Sequence, residues 1–175
     1  MTDTGTGTDT DPLVVTALLD PDSRAELDAR RRRWFPPHRH VVAAHLTLFH
    51  ALPGGRAGEV ADALADVTDG APLAARIGEP VSLGRGVAHP VDAPGLAVVH
   101  GRIAHRFADA LTRQDRAGLR PHVTVQNKVD PQTARATLAE LAAAHRPWTA
   151  TITGLGLWRY RGGPWDPVRE FPFRG

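Results

Sequence analysis

The chain carries His45-Leu46-Thr47-Leu48 and, 77 residues further on, His122-Val123-Thr124-Val125. Both stretches read His-apolar-Thr-apolar, and each lies in a run that alternates as a half-buried strand does. Residues i and i+2 of a strand face the same side, so His45 and Thr47 share one face while Leu46 and Leu48 turn to the other. The second copy repeats this, with His122 and Thr124 outward and Val123 and Val125 inward. One His-x-Thr carries little information, because strands often hold both residue types. Two copies gain weight when the scaffold around them is duplicated too.

That scaffold reads as duplicated. Leu13 to Leu19 is a buried strand by its length and β-branched content, and Asp20-Pro21-Asp22-Ser23 caps a helix over Ala25 to Arg33 that Pro36-Pro37 stops. Val41 to Phe49 is the first motif strand, followed by a Pro53-Gly54-Gly55 turn and an amphipathic helix from Ala57 to Val67. In the second half, Leu96 to His100 is expected as a short strand and Arg102 to Gln114 as a helix. His122 to Val125 is the second motif strand, and Pro131 opens a helix to about His145. The motif thus begins roughly 30 to 32 residues after its lobe's first strand in one half and about 26 in the other. Leu73 to Val91 and Trp148 to Phe173 supply further strands, with a final hairpin around Arg161-Gly162-Gly163-Pro164. The expected fold is α+β and bilobal, with pseudo-twofold symmetry. Two mostly antiparallel sheets flanked by outer helices enclose a central cleft where the motif strands meet.

An imidazole beside a hydroxyl, presented twice, suits a phosphodiester. Two histidines can divide acid and base duties while two hydroxyls donate to the non-bridging oxygens. Unperturbed imidazoles titrate near 6.5, so both protonation states are accessible around neutral pH.

Composition narrows the class. A chain of 175 residues fits one domain, expected over residues 12 to 175 and as a monomer, behind a Thr-, Asp- and Gly-rich tail, Met1 to Asp11, expected to be disordered. Net charge is +2 and the pI about 9.9, with Lys128 the sole lysine. Arginine suits phosphate, but GC-rich coding produces the same bias. The lack of cysteine excludes thiolate zinc sites, catalytic thiols and disulfides. With no apolar run of the roughly 18 to 20 residues that a membrane span needs and no secretory start, no membrane partner and a cytoplasmic location are expected.

With both motifs and the lobe order in view, the chain resembles the two-histidine phosphoesterase superfamily. Within it, the resemblance is to the 2′-5′ RNA ligase-like proteins and the related cyclic nucleotide phosphodiesterases. The resemblance spans roughly Leu13 to Phe173. It implies a metal-independent enzyme without cofactor, acting on a 2′,3′-cyclic phosphate or 2′-5′ bond of an RNA end or nucleotide. The catalytic set is then His45, Thr47, His122 and Thr124, with His122 as base and His45 as acid; the symmetric sequence itself does not choose between the two rings. Run backward, the same geometry joins a 5′-hydroxyl to a cyclic phosphate.

Two rival readings are a non-catalytic phosphate- or RNA-binding module on the same fold and a metal hydrolase built from the stretch containing His38, His40, His45 and His50. No carboxylate in that stretch completes a common metal site, and Pro36-Pro37 favours a loop, so no metal is expected. For binding, Gln126 is the next outward position after Thr124, and Phe49 is its counterpart in the first lobe. Trp34 is a candidate for stacking on a base or for core packing. Trp158 and Tyr160 alternate with Arg159 and Arg161, so only one of these pairs can line the cleft; Tyr160 and Arg159 are the substrate-binding candidates, one from each pair. Arg30 to Arg33 resembles a nucleic-acid patch, but consecutive helix residues point in different directions, so only part of the run can face one ligand. A solvated helix end whose charges complement the helix dipole is the favoured reading.

Overall fold

A computed structural model describes residues 9–175. The chain runs β1 (Leu13–Leu19), α1 (Pro21–Trp34), β2 (Leu46–Leu52), α2 (Ala57–Val67), β3 (Leu73–Ile77), β4 (Val81–Ser82) and β5 (Val87–Asp92). It continues α3 (Pro94–Arg106), α4 (Arg113–Arg116), β6 (His122–Gln126), α5 (Pro131–Ala144), β7 (Trp148–Arg159) and β8 (Asp166–Pro172). Every strand pairing is antiparallel. β2, β1 and β7 lie side by side; β7 then pairs β8 along one half of its free edge and β3 along the other. β3 leads to β5, which carries β4 and β6, so the two lobes' sheets are continuous through β5. The sheet curls until its end strands β2 and β6 touch. The fold class is α+β, as expected, and the two motif strands meet because the sheet nearly closes.

Local sequence explains the helices. Asp20 caps α1, its carboxylate accepting from the Ser23 amide at 2.9 Å, and Pro21 fills the first turn, where its missing N–H costs nothing. The same carboxylate accepts from the Thr151 amide, tying α1 to β7. Asp130 and Pro131 start α5 in the same way. The second-half assignment needs correction: Leu96 to His100 is not a strand but the middle of α3. Pro94 starts that helix, and Leu96, Val99, His100 and Ile103 line its buried side with helical spacing. A short apolar run fits either element, and the lobe's first strand is β5 instead. The motif then follows the start of that strand by 122 − 87 = 35 residues, against 45 − 13 = 32 in the first half. β2 begins at Leu46 rather than Val41, because residues 37–39 form a 3-10 turn and irregular chain follows.

The main core is built from Leu13, Val15 and Ala17 of β1, Leu155 and Leu157 of β7, and the inner faces of α2 and α3. A smaller cluster of Val87, Val125 and Leu141 sits against α1 through Trp34. Of the expected tail, residues 1–8 lie outside the described residues. Asp9 and Asp11 are tied down: Arg161 pairs with both, and Arg159 reaches the Asp9 carboxylate and the Asp11 carbonyl.

Candidate active site

Both motif histidines are locked by the same local bond. The Nδ1–H of His45 donates to the Ala43 carbonyl, and that of His122 to the Arg120 carbonyl, each two residues back at 2.7 Å. This fixes the tautomer, leaving Nε2 of each ring as the free nitrogen. The hydroxyls of Thr47 and Thr124 are half-buried and bond to no protein group among the described residues. Each motif thus presents one oriented ring nitrogen and one uncommitted hydroxyl.

α1 brings the two motifs into register. Ser23, Leu27 and Arg31 line its buried side at intervals of four, so Arg31 turns inward while Arg32 and Arg33 stay exposed. Its Nε–H donates to the Val42 carbonyl at 2.9 Å and its Nη1–H to the Thr124 carbonyl at 2.7 Å. One guanidinium therefore joins the approach to β2 with the centre of β6. Its cation lies 4.0 Å over the Phe35 ring. Burial pushes its pKa down to about 10, opposed by the charge of Asp28. Asp28, one turn earlier, accepts from the Ala44 amide at 3.0 Å. Together the two side chains hold the segment whose Ala43 carbonyl orients His45.

His45 lies in a less polar setting than an exposed imidazole. Burial pushes its pKa down to about 4, the Ala43 carbonyl opposes this, and the charges of Arg31, His122 and His50 lower it further. The ring is therefore neutral around pH 7, and His122 is near enough for its charge to act on it. Trp165, from the turn before β8, meets His45 edge-on at 4.7 Å.

Both motif strands carry a β-bulge directly after the threonine. Val15 pairs with Phe49 and Thr16 with Thr47, so Leu48 is an extra residue in β2; Val87 pairs with Gln126 and Ala88 with Thr124, so Val125 is extra in β6. A bulge resets which side follows, and this corrects two expected ligand contacts. Phe49 is fully buried, stacked on His100 at 4.5 Å in the main core. Gln126 is buried and donates to the Thr137 hydroxyl at 2.8 Å. The other three expected contacts also lie elsewhere. Trp34 packs on the Val125 cluster beneath Arg33, Arg159 is buried against Asp9 and Asp11, and Tyr160 stands exposed outside the cavity beside His45. The aromatics lining that cavity are Trp158 and Trp165. Trp158 was visible as one of an alternating pair, whereas Trp165 was hidden in a Gly-Pro turn. Arg31 was legible as the position four after Leu27. His38 lies on the 3-10 turn and His40 just after it, and no cluster of three or more potential metal-ligating side chains occurs among the described residues.

Residues 19–164 match the 2′-5′ RNA ligase superfamily. The chain belongs to that superfamily. The fold of this superfamily member is shared by TT0787 of Thermus thermophilus, at 18% identity over 94% of this chain and 98% of that one, with a TM-score of 0.63. E. coli LigT complexed with 3′-AMP aligns over 95% of this chain and all of its own (100%), at 16% identity and a TM-score of 0.65. LigT complexed with NADP+ gives 14% identity, 94% and 99% coverage, and 0.62. No curated protein matches the chain. Membership in the superfamily supports a phosphoesterase- or ligase-like role, and no helix among the described residues is long and apolar enough to cross a membrane.

Proposed function

We propose that this superfamily member is an enzyme that opens 2′,3′-cyclic phosphates, or cleaves 2′-5′ phosphodiester bonds, at RNA ends or in nucleotides. His45 and His122 serve as its proton carriers. The observation that carries this reading is the matched pair of rings, each held at Nδ1 by a backbone carbonyl so that Nε2 is free beside an uncommitted threonine hydroxyl. Support also comes from LigT, a protein of the same fold crystallised with 3′-AMP and NADP+.

The proton path gives one transfer to each ring. Neutral His45 accepts a proton from water at Nε2 as the water oxygen bonds to phosphorus. A protonated His122 gives its Nε2 proton to the departing ribose oxygen as that phosphorus–oxygen bond breaks. The resemblance alone suggested the reverse assignment, but burial holds the His45 ring in the deprotonated form that an acceptor needs before substrate binds. Thr47 and Thr124 donate to the non-bridging oxygens, where charge accumulates in the transition state. With a 5′-hydroxyl in place of water as the nucleophile, the same steps in the same sense join two RNA ends.

His45→Ala and His122→Ala are each expected to lower turnover of a 2′,3′-cyclic nucleotide by about two to four decades. Unchanged turnover in either variant overturns the assignment. Activity is expected to survive an excess of chelator, since the two rings supply both proton transfers; its loss on chelation would point to a metal hydrolase. A phosphate or nucleotide bound tightly without turnover would make the protein a binding module.

A further inference from the structure

Beside His45 the sheet opens into a cavity of about 270 Å³ that proton transfer does not use. Trp158 of β7 and Trp165 line it, their ring centres 6.3 Å apart. Trp158 is held in place by its Nε1–H, which donates to the Thr16 hydroxyl at 2.9 Å. Gly156 leaves room for that bond, since a Cβ there would stand 2.9 Å from both the Thr16 hydroxyl and the Trp158 nitrogen. Any larger residue there would displace the ring. Two charged side chains also line the cavity, Arg24 of α1 and Glu170 of β8. Among the described residues neither pairs with the other or with any further charged group.

We propose that this cavity seats the base of the nucleotide whose phosphate lies between the histidines, and that Glu170 and Arg24 make guanine the preferred base. The inference rests on the nucleotide reading given above and goes beyond it to the identity of the base. Flat aromatic walls suit any base, because every base has a π-face. Discrimination falls to the two charges. A carboxylate only accepts hydrogen bonds and a guanidinium only donates them. Guanine alone offers, in sequence along its edge, two donors at N2 and N1 and then two acceptors at O6 and N7. Adenine and cytosine set a single amino group beside a ring nitrogen that accepts, and uracil flanks its one N–H with two carbonyls; each leaves the carboxylate facing a lone pair.

The test uses the full chain and two readouts. The first is kcat/KM on the four 2′,3′-cyclic mononucleotides; the second is the affinity for guanosine and uridine 3′-monophosphates, followed by quenching of tryptophan fluorescence. Wild-type protein is expected to favour guanine over uracil by roughly tenfold or more, the discrimination of a bidentate base-edge contact. Glu170→Gln is expected to reduce that ratio by about tenfold, and Arg24→Met to reduce it in the same direction. A wild-type ratio within twofold of unity, or one unaltered by Glu170→Gln, overturns the inference while leaving the phosphoesterase reading intact. If none of the four is turned over, the reading as a cyclic mononucleotide phosphodiesterase fails and the affinity ratio decides alone. A guanosine preference lost in Glu170→Gln upholds the base site, and equal affinities sink it.

Discussion

At the scale of single residues, the site depends on what keeps His45 neutral. A proton acceptor must be deprotonated before substrate arrives, and burial, followed by the charges of Arg31 and His122, holds this ring's pKa at about 4. The acid limb of kcat/KM is therefore expected near pH 4, with activity falling as pH drops through that value, rather than near the 6.5 of a free imidazole. A limb at 6.5 or above would remove His45 as the acceptor. Arg31→Met adds a second expectation whose sign follows from electrostatics. Removing a nearby like charge favours the protonated ring, so the limb moves to higher pH. The same variant loses the bonds to the Val42 and Thr124 carbonyls that set the spacing of the motifs. Turnover should also fall, by roughly one to two decades, as misplacement of about an ångström does elsewhere. A purely structural role would lower activity without moving the limb.

At the scale of elements, the paired bulges in β2 and β6 explain both what the sequence disclosed and what it concealed. Up to the threonine, simple alternation holds, so the two His-x-Thr faces were legible from residue types alone. One residue later Leu48 and Val125 each add to their strand, and Phe49 and Gln126 turn inward against the alternation that had placed them in the cleft. Nothing in a single sequence marks those extra residues. Arg31 is the opposite case: its inward face followed from the spacing to Leu27, but a run of four arginines reads as solvent-facing until one of them is placed on the helix. The bulged end of β2 also needs an external partner for its backbone. Asp115 of α4 supplies it, accepting from the His50 amide at 2.9 Å, the Ala51 amide at 3.0 Å and the His50 ring at 3.2 Å. Burial works against this carboxylate, yet those three bonds hold its pKa below the usual range. Asp115→Ala strands two amides, each costing about 1–3 kcal/mol when left unpaired. Once partial rehydration is allowed for, a loss of about 2–4 kcal/mol is expected from the shift in urea midpoint at unchanged slope. A loss under about 0.5 kcal/mol would mean that β2 holds its bulge without help from α4.

At the scale of the whole molecule, the closure that brings β2 to β6 is clamped from outside by one more residue of α1. Arg30 donates through Nη1 to His89 Nε2 at 3.2 Å and to His145 Nδ1 at 2.9 Å, linking α1 to β5 and to the end of α5. Both rings must be neutral to accept from a guanidinium. The other nitrogen of His89 donates to the Gly78 carbonyl at 3.0 Å, which fixes its tautomer. Burial pushes the His89 pKa down to about 4, with the charges of Arg30 and His145 adding to the effect against the Gly78 carbonyl; His145 is lowered by burial and by Arg30. The linkage has a definite sign. Between about pH 6.5 and 4 the unfolded chain binds protons that the folded chain refuses, so unfolding becomes easier as pH falls through that window and the contribution is complete above it. A depression of 6.5 − 4 = 2.5 units on His89 corresponds to at most about 3 kcal/mol. His89→Gln keeps an acceptor for Arg30 and a donor for the Gly78 carbonyl but cannot titrate. Its urea midpoint should therefore lose less than the wild type's between pH 6.5 and 4.5, with His145 responsible for part of the slope that persists. Identical slopes in the two proteins would show that Arg30 moves away from His89 before the ring is protonated, and that the clamp does not hold the lobes together. A flatter slope with unchanged activity at pH 7 would separate this clamp from the catalytic work of Arg31, one residue further along the same helix.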